Sequence, residues 1–240
     1  MPANVYSNQF IVNSLPLIEG VNTITVTATD TDGNTLSESL SVNAITTGNY
    51  IRVISNIESG ISPLQVSLRI DGSFSITASD ISVTGPGSVE FLPGTLVDEY
   101  EVIMTTEGVY YFTVTVTGPD NIVYEDTVAI TVLNKTQIDT LLKGKWEGMK
   151  EKLLAGNIEE ALDSFTYHTK DRYRISFNLL QDSLTDIVSG MGNIELAYMV
   201  DDIAKYIITR EQNIDGQIGT YIYYIYFSKN DQGIWQIEQF

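Results

Sequence analysis

An internal repeat limits what the first half of the chain can fold into. Segment 20–32 aligns without gaps on segment 108–120, at an offset of 88 residues, and both contain Thr-Val-Thr at the same place. In each copy apolar residues alternate with threonine, the pattern of a strand with one buried face. Each copy therefore predicts a two-stranded hairpin, and a spacing of roughly 90 residues fits a seven-strand β-sandwich.

The two copies differ in the chain available around them. The alternation points these residues toward a core: Ile24, Val26, Ala28, Phe112, Val114 and Val116. The second copy has room for further strands at 51–57, 64–70, 74–83, 88–92 and 99–104. The first has room for about half a sandwich, which would leave an apolar face uncovered. We expect that the sequence begins inside a longer chain; the alternative is an accessory sheet that packs on the second domain.

The chain changes character near position 134. Residues 1–134 hold 2 basic and 15 acidic side chains, whereas residues 135–240 hold 11 basic and 16 acidic side chains and acquire helical periodicity. Such a change of surface is typical of separately folding modules. We predict a partial β-domain at 1–48, a complete one at 49–134 and a third domain at 135–240.

The third domain should be α+β. Thr136-Gln-Ile-Asp139 predicts a capping box, followed by a helix to Leu153. A short helix should start at Asn157 and another at Thr169. Four strands follow, at 194–200, 204–214, 219–228 and 234–240. Short turns between them indicate an antiparallel sheet with the helices on one face.

Two family resemblances agree with these patterns. The segment from Leu17 to Asn34 resembles the closing half of bacterial Ig-like repeats, and Ser59-Gly-Ile-Ser-Pro-Leu-Gln-Val66 is similar to the opening of PKD-type Ig-like domains. Segments 155–165 and 233–240 resemble the NTF2-like, or cystatin-like, superfamily. The resemblance implies two all-β Ig-like sandwiches, one partial and one complete, followed by an NTF2-like cone with a four-stranded antiparallel sheet.

Composition excludes several classes of function. The net charge of −18 argues against binding to nucleic acid or to anionic lipid, because both need clustered basic residues. The chain has no cysteine, so it has no disulfide or thiolate metal site. No apolar run approaches the roughly 20 residues of a membrane helix. Residues 1–4 do not open a signal peptide, so we expect none in these residues.

The candidate site residues follow from the second resemblance. Enzymes of the NTF2-like superfamily use an acid, a histidine or a tyrosine inside the cone. The available pocket residues of those types are His168, Tyr173, Asp202, Tyr206 and Tyr223. His168 is the only histidine, and Asp201-Asp202 is also typical of a turn. No family catalytic motif maps onto the sequence, so we predict no catalytic residue and no cofactor.

Two further segments suggest binding surfaces. The run Tyr221–Phe227 is apolar on both faces of a strand, so one face should meet the helices and the other could form an interface. The interface candidates are Tyr221, Tyr223, Tyr224 and Tyr226. Asp30, Asp32 and Asn34 are spaced like calcium ligands, although Asp-Gly at a hairpin tip explains them equally well.

The resemblances together favour a non-catalytic extracytoplasmic protein. The Ig-like modules would present the NTF2-like module to a protein or glycan partner, or to a second copy through the C-terminal sheet. Two alternatives stay open: an NTF2-like enzyme or carrier of a small apolar ligand tethered by Ig-like spacers, and a carbohydrate-binding surface on the Ig-like domain.

Overall fold

The fold is a β-rich multidomain arrangement with a few helices. A computed structural model describes residues 3–29, 34–92, 96–214 and 217–240, without the side chains of 212–214 and 217. About half of the chain lies in strands and about a fifth in helices. Two compact units are present: an N-terminal unit of Pro2–Glu58 and Gln65–Ile130, and a C-terminal unit that contains Ser59–Leu64 and Thr131–Phe240. The predicted boundaries at 48 and 134 stay predictions.

The first half of the chain is built of strands. In chain order they are β1 (Asn4–Tyr6), β2 (Gln9–Ile11), β3 (Gly20–Thr29), β4 (Thr35–Ala44), β5 (Ile51–Ser55), β6 (Ser59–Ile61), β7 (Leu64–Gly72), β8 (Asp80–Thr84), β9 (Val89–Leu92), β10 (Glu99–Met104), β11 (Gly108–Thr117) and β12 (Val123–Leu133). Both predicted hairpins are present, as β3–β4 and β11–β12. The strand predicted at 74–83 is shorter than expected, because it begins only at Asp80.

Two layers of strands enclose the core of the N-terminal unit. One sheet has the order β5-β7-β10-β9, and in the other β12 neighbours β11, which neighbours β8. Alternate residues of β7 and β11 are buried, because successive side chains of a strand point to opposite faces. The inward positions predicted in the second repeat, Phe112, Val114 and Val116, are all buried.

The first repeat has no comparable core. Strands β3 and β4 form a separate two-stranded sheet with a regular register from Gly20↔Ala44 to Thr29↔Thr35. Ile24 and Val26 are half-buried, and Ala28 is exposed although it was predicted to face inward. Leu36 and Leu40 on β4 are exposed. The pattern therefore forms the hairpin, but among the described residues no second sheet buries it.

The C-terminal unit contains the predicted helices and strands. They are α1 (Lys135–Leu154), α2 (Ile158–Leu162), α3 (Tyr167–Leu179), a 3-10 turn (Gln181–Ser183), α4 (Leu184–Ser189), β13 (Glu195–Val200), β14 (Ile203–Ile214), β15 (Gln217–Lys229) and β16 (Trp235–Gln239). Strands β13 to β16 form the expected antiparallel sheet, in the order β16-β15-β14-β13. No helix in the described part of the chain is long and apolar enough to cross a membrane.

Two predicted helix starts are wrong by a few residues. Asn134, not Thr136, caps α1, because its side chain accepts a hydrogen bond from the amide of Gln137 at 3.0 Å. The third helix is capped at Thr166, and Thr169 lies inside its first turn. Asn134 and Thr166 both have the extended backbone that an N-cap residue needs, whereas Thr136 and Thr169 are already helical.

Strand β6 joins the C-terminal unit from far away in the sequence. It pairs in parallel with Thr131–Leu133 of β12 and meets β13 through Val200↔Gly60. Asp201 fixes this contact, since its Oδ1 accepts from the amide of Ser59 at 2.8 Å and its own amide donates to the Ser59 carbonyl at 2.7 Å. The sheet is therefore wider than the four strands predicted from the sequence.

Candidate functional site

The space between helices and sheet in the C-terminal unit is filled by apolar and aromatic side chains. Large members of this core are Trp146, Phe165, Tyr173, Phe177, Tyr206, Phe227 and Trp235. Phe165 lies 4.5 Å from Tyr173 and 5.9 Å from Phe177 between ring centroids, so the rings pack on one another. This interior is chiefly an aromatic core.

One polar pair lies within this core. Among the described residues, the buried hydroxyl of Tyr206 and the buried Oδ1 of Asp139 form no hydrogen bond of regular geometry, although the Asp139 carboxylate is close enough to act on Tyr206 as an acceptor; Oδ2 of Asp139 accepts from Nζ of Lys143 at 2.7 Å. Burial raises the pKa of Tyr206 well above its ordinary value, and the nearby carboxylate of Asp139 raises it further. Tyr206 therefore stays protonated at neutral pH and can act only as a hydrogen-bond donor or acceptor there.

The sequence did not indicate Asp139 as a site residue. We assigned it to the cap of α1, whereas it lies one turn inside the helix, next to the buried positions Leu142 and Trp146. An acidic residue within a run of apolar helix positions was the signal that could have found it.

The other pocket candidates lie apart from this pair. His168 is exposed in the first turn of α3, and Asp202 lies in the turn between β13 and β14, paired with Lys229 at 3.0 Å. The hydroxyl of Tyr173 donates to the carbonyl oxygen of Phe240 at 2.9 Å and accepts from its amide at 2.8 Å. No described hydrogen bond, ion pair or ring contact joins any two of His168, Tyr173, Asp202 and Tyr206.

Tyr223 shares a face of the sheet with Tyr206. It is paired with Ile208, next to the pair Tyr206↔Ile225, but its side chain is 42% exposed. Ile225 and Phe227 on the same face are fully buried. The covered part of β15 thus ends between Ile225 and Tyr223.

The opposite face of this sheet is exposed and rich in aromatic and aliphatic side chains. We call it the outer face; register and alternation place on it Tyr198, Ile203, Lys205, Ile207, Ile222, Tyr224 and Tyr226. Tyr198, Ile203, Ile222 and Tyr224 are each close to half exposed. Nζ of Lys205 lies 3.6 Å from the ring centroid of Tyr224 and 5.5 Å from that of Tyr226, which orients both rings around one cation.

The four predicted interface tyrosines therefore divide between the two faces. Tyr224 and Tyr226 belong to the outer face, whereas Tyr221 and Tyr223 lie on the helix-side face beyond the buried core. The role of Lys205 beside the two outer tyrosines was not predicted. Its signal was a basic residue between two apolar outward positions of β14, Ile203 and Ile207.

The calcium prediction falls mostly outside the structure. Asp30 and Asp32 are not among the described residues, and Asn34 immediately precedes β4. Within the described ranges no group of three or more His, Asp or Glu side chains could hold a metal ion.

Comparisons with known proteins give no family for the chain. No protein family model matches it, and no curated protein matches it.

Proposed function

We propose that this chain is part of a non-catalytic structural and binding protein, in which Ig-like modules present an NTF2-like module that associates with a second copy of itself. The observation that carries the proposal is the outer face. Its aromatic and aliphatic side chains are half exposed, and such composition marks interface cores more than ordinary surface. The NTF2-like superfamily that segments 155–165 and 233–240 resemble often dimerises through its sheet.

Strand order supports the Ig-like part of the proposal. The order β5-β7-β10-β9 corresponds to the A-B-E-D sheet of an Ig-like sandwich, and β12-β11-β8 to its G-F-C sheet. Tyr110, near the start of β11, is fully buried and its hydroxyl donates to the carbonyl of Thr106 at 3.0 Å. A tyrosine at this place, bonded to backbone a few residues upstream, is the tyrosine corner of such sandwiches.

The order of elements supports the NTF2-like part. Helices α1 to α4 precede the antiparallel strands β13 to β16, and the helix-side face of the sheet carries the buried core. An interior filled by rings leaves the outer face as the part of this unit suited to recognition. We place the protein outside the cytoplasm on the resemblance to Ig-like repeats.

Sedimentation equilibrium across a range of protein concentrations tests the self-association. We expect a dimer for the native chain and a monomer for Tyr224→Glu, since a carboxylate in the centre of a desolvated aromatic contact is strongly unfavourable. The matched control is Tyr167→Glu, because Tyr167 is 86% exposed on α3 and does not belong to the outer face. A monomeric native chain, or a Tyr224→Glu chain that still dimerises, would contradict the proposal.

A second candidate function is a carrier or enzyme for a small apolar ligand. The buried pair Tyr206 and Asp139 favours it, because a hydroxyl and a carboxylate oxygen that make no regular hydrogen bond among the described residues can both turn to a ligand's polar group. Titration with the neutral dye Nile red tests this candidate. It predicts saturable binding at one site that Tyr206→Phe weakens, whereas the interaction module predicts no such dependence on Tyr206.

A further inference from the structure

A groove in the N-terminal unit belongs neither to the outer face nor to the core of the C-terminal unit. Its volume is about 260 Å³, and it is lined by Asn13, Ser14, Tyr50, Ile51, Arg52, Val53, Asp126, Thr127 and Val128. Pockets for drug-sized molecules occupy roughly 300–1,000 Å³. The groove therefore suits one small ring rather than a larger molecule.

The lining is apolar at its base and polar around it. Ile51, Val53 and Val128 are buried, whereas Tyr50 is 56% exposed. Tyrosine presents an apolar ring together with a hydroxyl that can donate or accept. A ligand with both an apolar face and several hydroxyl groups would match this combination.

Rigid elements hold the groove in place. Tyr50 is fixed to β7 and its loop because its amide donates to the hydroxyl of Ser73 at 2.9 Å and its carbonyl accepts from the Ser73 amide at 3.0 Å. The side chain of Asn13 donates to the carbonyl of Ala129 at 2.7 Å and accepts from its amide at 2.9 Å. The backbone of the Tyr50 wall and the side chain of Asn13 thus need little ordering when a ligand binds, which lowers the cost of binding.

Asp126 supplies an acceptor. Its Oδ2 accepts from the amide of Val53 at 2.8 Å, and Oδ1 has no hydrogen-bond partner among the described residues. The first bond holds the carboxylate in a fixed position between β5 and β12. A ligand hydroxyl can therefore donate to Oδ1 without displacing an internal hydrogen bond.

The charges around the groove select a neutral ligand. Residues 1–134 carry 15 acidic side chains and only 2 basic ones, which disfavours an anion. A cation would meet Arg52, which also lines the groove; its side chain is 55% exposed and its guanidinium lies 3.5 Å from Asp71. The carboxylate of Asp126 and the hydroxyl groups of Ser14 and Tyr50 offer a neutral polyol acceptors and donors.

We propose that this groove binds one ring of a neutral carbohydrate, with Tyr50 against the ring and Asp126 accepting from a ring hydroxyl. The site is independent of the self-association proposed for the C-terminal unit. The groove contacts only one sugar ring, so we expect low affinity for a monosaccharide. A polysaccharide should bind more tightly because it presents many rings to the same groove.

Saturation-transfer difference NMR on the full chain tests the site, with glucose, galactose, mannose and N-acetylglucosamine as probes at millimolar concentration. We expect saturation transfer to at least one of the four sugars. Tyr50→Ala and Asp126→Asn should each reduce the affinity for that sugar at least fivefold. Tyr111→Ala and Glu125→Gln are matched controls, since both residues are exposed and neither lines the groove.

Three outcomes would overturn the proposal. The first is no saturation transfer to any of the four sugars. The second is binding that persists unchanged in Tyr50→Ala and Asp126→Asn, which would place the sugar elsewhere. The third is preferential binding of N-acetyl-arginine amide over all four sugars, which would make the groove a site for a cationic peptide side chain. Amide hydrogen exchange of β5 and β12 in each variant separates loss of binding from loss of folding.

Discussion

The hairpins β3–β4 and β11–β12 come from the same sequence pattern and have opposite surroundings. Thr25 and Ser39 share a hydroxyl hydrogen bond of 2.9 Å, and the residues 88 positions later, Thr113 and Thr127, share one of 2.8 Å. Yet Phe112 is fully buried, whereas Ile24, its counterpart in the first repeat, is only half-buried. The local pairing is conserved between the two copies, and the burial is not.

This difference separates two contributions to the stability of a β-sandwich, pairing within a hairpin and burial under a second sheet. Alternation and cross-strand pairs act within a hairpin, so two copies of the pattern form the same ladder. Burial depends on a second layer supplied by distant parts of the chain, here β5, β7, β10 and β9 over the second copy. A two-stranded ribbon without such a layer is marginally stable in water.

The largest expected difference in stability is between substitutions at equivalent positions of the two hairpins. Phe112→Ala removes a fully buried ring and should lower the free energy of unfolding by about 3–5 kcal/mol. Ile24→Ala, the matched change in the first hairpin, should cost less, about 1–2 kcal/mol, since that side chain is only half-buried and water can fill the space it leaves. Chemical denaturation of both variants, followed by circular dichroism, measures the two changes.

Equal losses of unfolding free energy in Phe112→Ala and Ile24→Ala would contradict this prediction. They would mean that β3–β4 is covered in solution by a layer that buries Ile24 as completely as Phe112. Amide hydrogen exchange of β3 in the native chain gives an independent check, since an uncovered ribbon should exchange much faster than β11.

The second largest effect concerns two asparagines, one for each hairpin, whose side chains bond to backbone groups. Asn13 is buried and bonds to both backbone groups of Ala129 in β12, so Asn13→Ala should cost about 1–3 kcal/mol by leaving buried polar groups unpaired. Asn22 makes similar bonds to Ile18 and Gly20 beside the exposed hairpin, where water can replace them. Asn22→Ala should therefore cost less than about 1 kcal/mol in the same denaturation experiment. A larger loss for Asn22→Ala than for Asn13→Ala would contradict the argument from burial.

A third hairpin, β14–β15, is intermediate in burial. The helices cover its helix-side face only as far as Ile225, and Tyr223 beyond it is exposed. Tyr206 is in the covered part and its pKa is raised above the ordinary value of 10.0. The folded protein disfavours the ionised form of Tyr206. The contribution of this group to the free energy of unfolding is therefore fully present below pH 10 and decreases as the pH rises above 10. The loss approaches about 1.4 kcal/mol per pH unit.

Tyr206→Phe tests this assignment. The variant should be close to the native chain in stability at pH 7, since among the described residues the Tyr206 hydroxyl makes no hydrogen bond of regular geometry, and it should lose less stability between pH 10 and 11. Tyr167→Phe, at an 86% exposed position, should follow the native pH dependence. If Tyr206→Phe and the native chain lose stability in parallel above pH 10, the hydroxyl of Tyr206 is accessible to water and the covered part is shorter than the structure indicates.

Much of the fold was predictable because its signals are local. Period-two alternation placed the strands of both repeats, and helical periodicity placed α1 and α3 to within a few residues. Two features were missed because they depend on distant residues. Strand β6 is recruited to the C-terminal sheet by Asp201, and Asp139 meets Tyr206 only when α1 packs on β14.

The candidate site was less predictable than the fold for the same reason. Residue type selected His168, Tyr173, Asp202, Tyr206 and Tyr223, but type does not decide which side chains meet. Tyr206 is the member whose buried polar atom lacks a hydrogen-bond partner in the described structure. Lys205 became part of the outer face through cross-strand neighbours, Tyr198 and Tyr226, that lie 7 and 21 positions away along the chain.

The smallest effect concerns the hydroxyl pairs that both hairpins share. Thr25→Val and Thr113→Val each remove one hydroxyl and keep a β-branched side chain, so each should change the stability of its own hairpin by less than about 1 kcal/mol. Local opening free energies from amide hydrogen exchange of β3 and β11 measure both changes. Because this face points away from any core in either copy, the two values should agree within about 0.5 kcal/mol. A clearly larger loss for Thr113→Val would show that the covering layer also strengthens pairing on the opposite face, and the separation of local pairing from burial would then have to be abandoned.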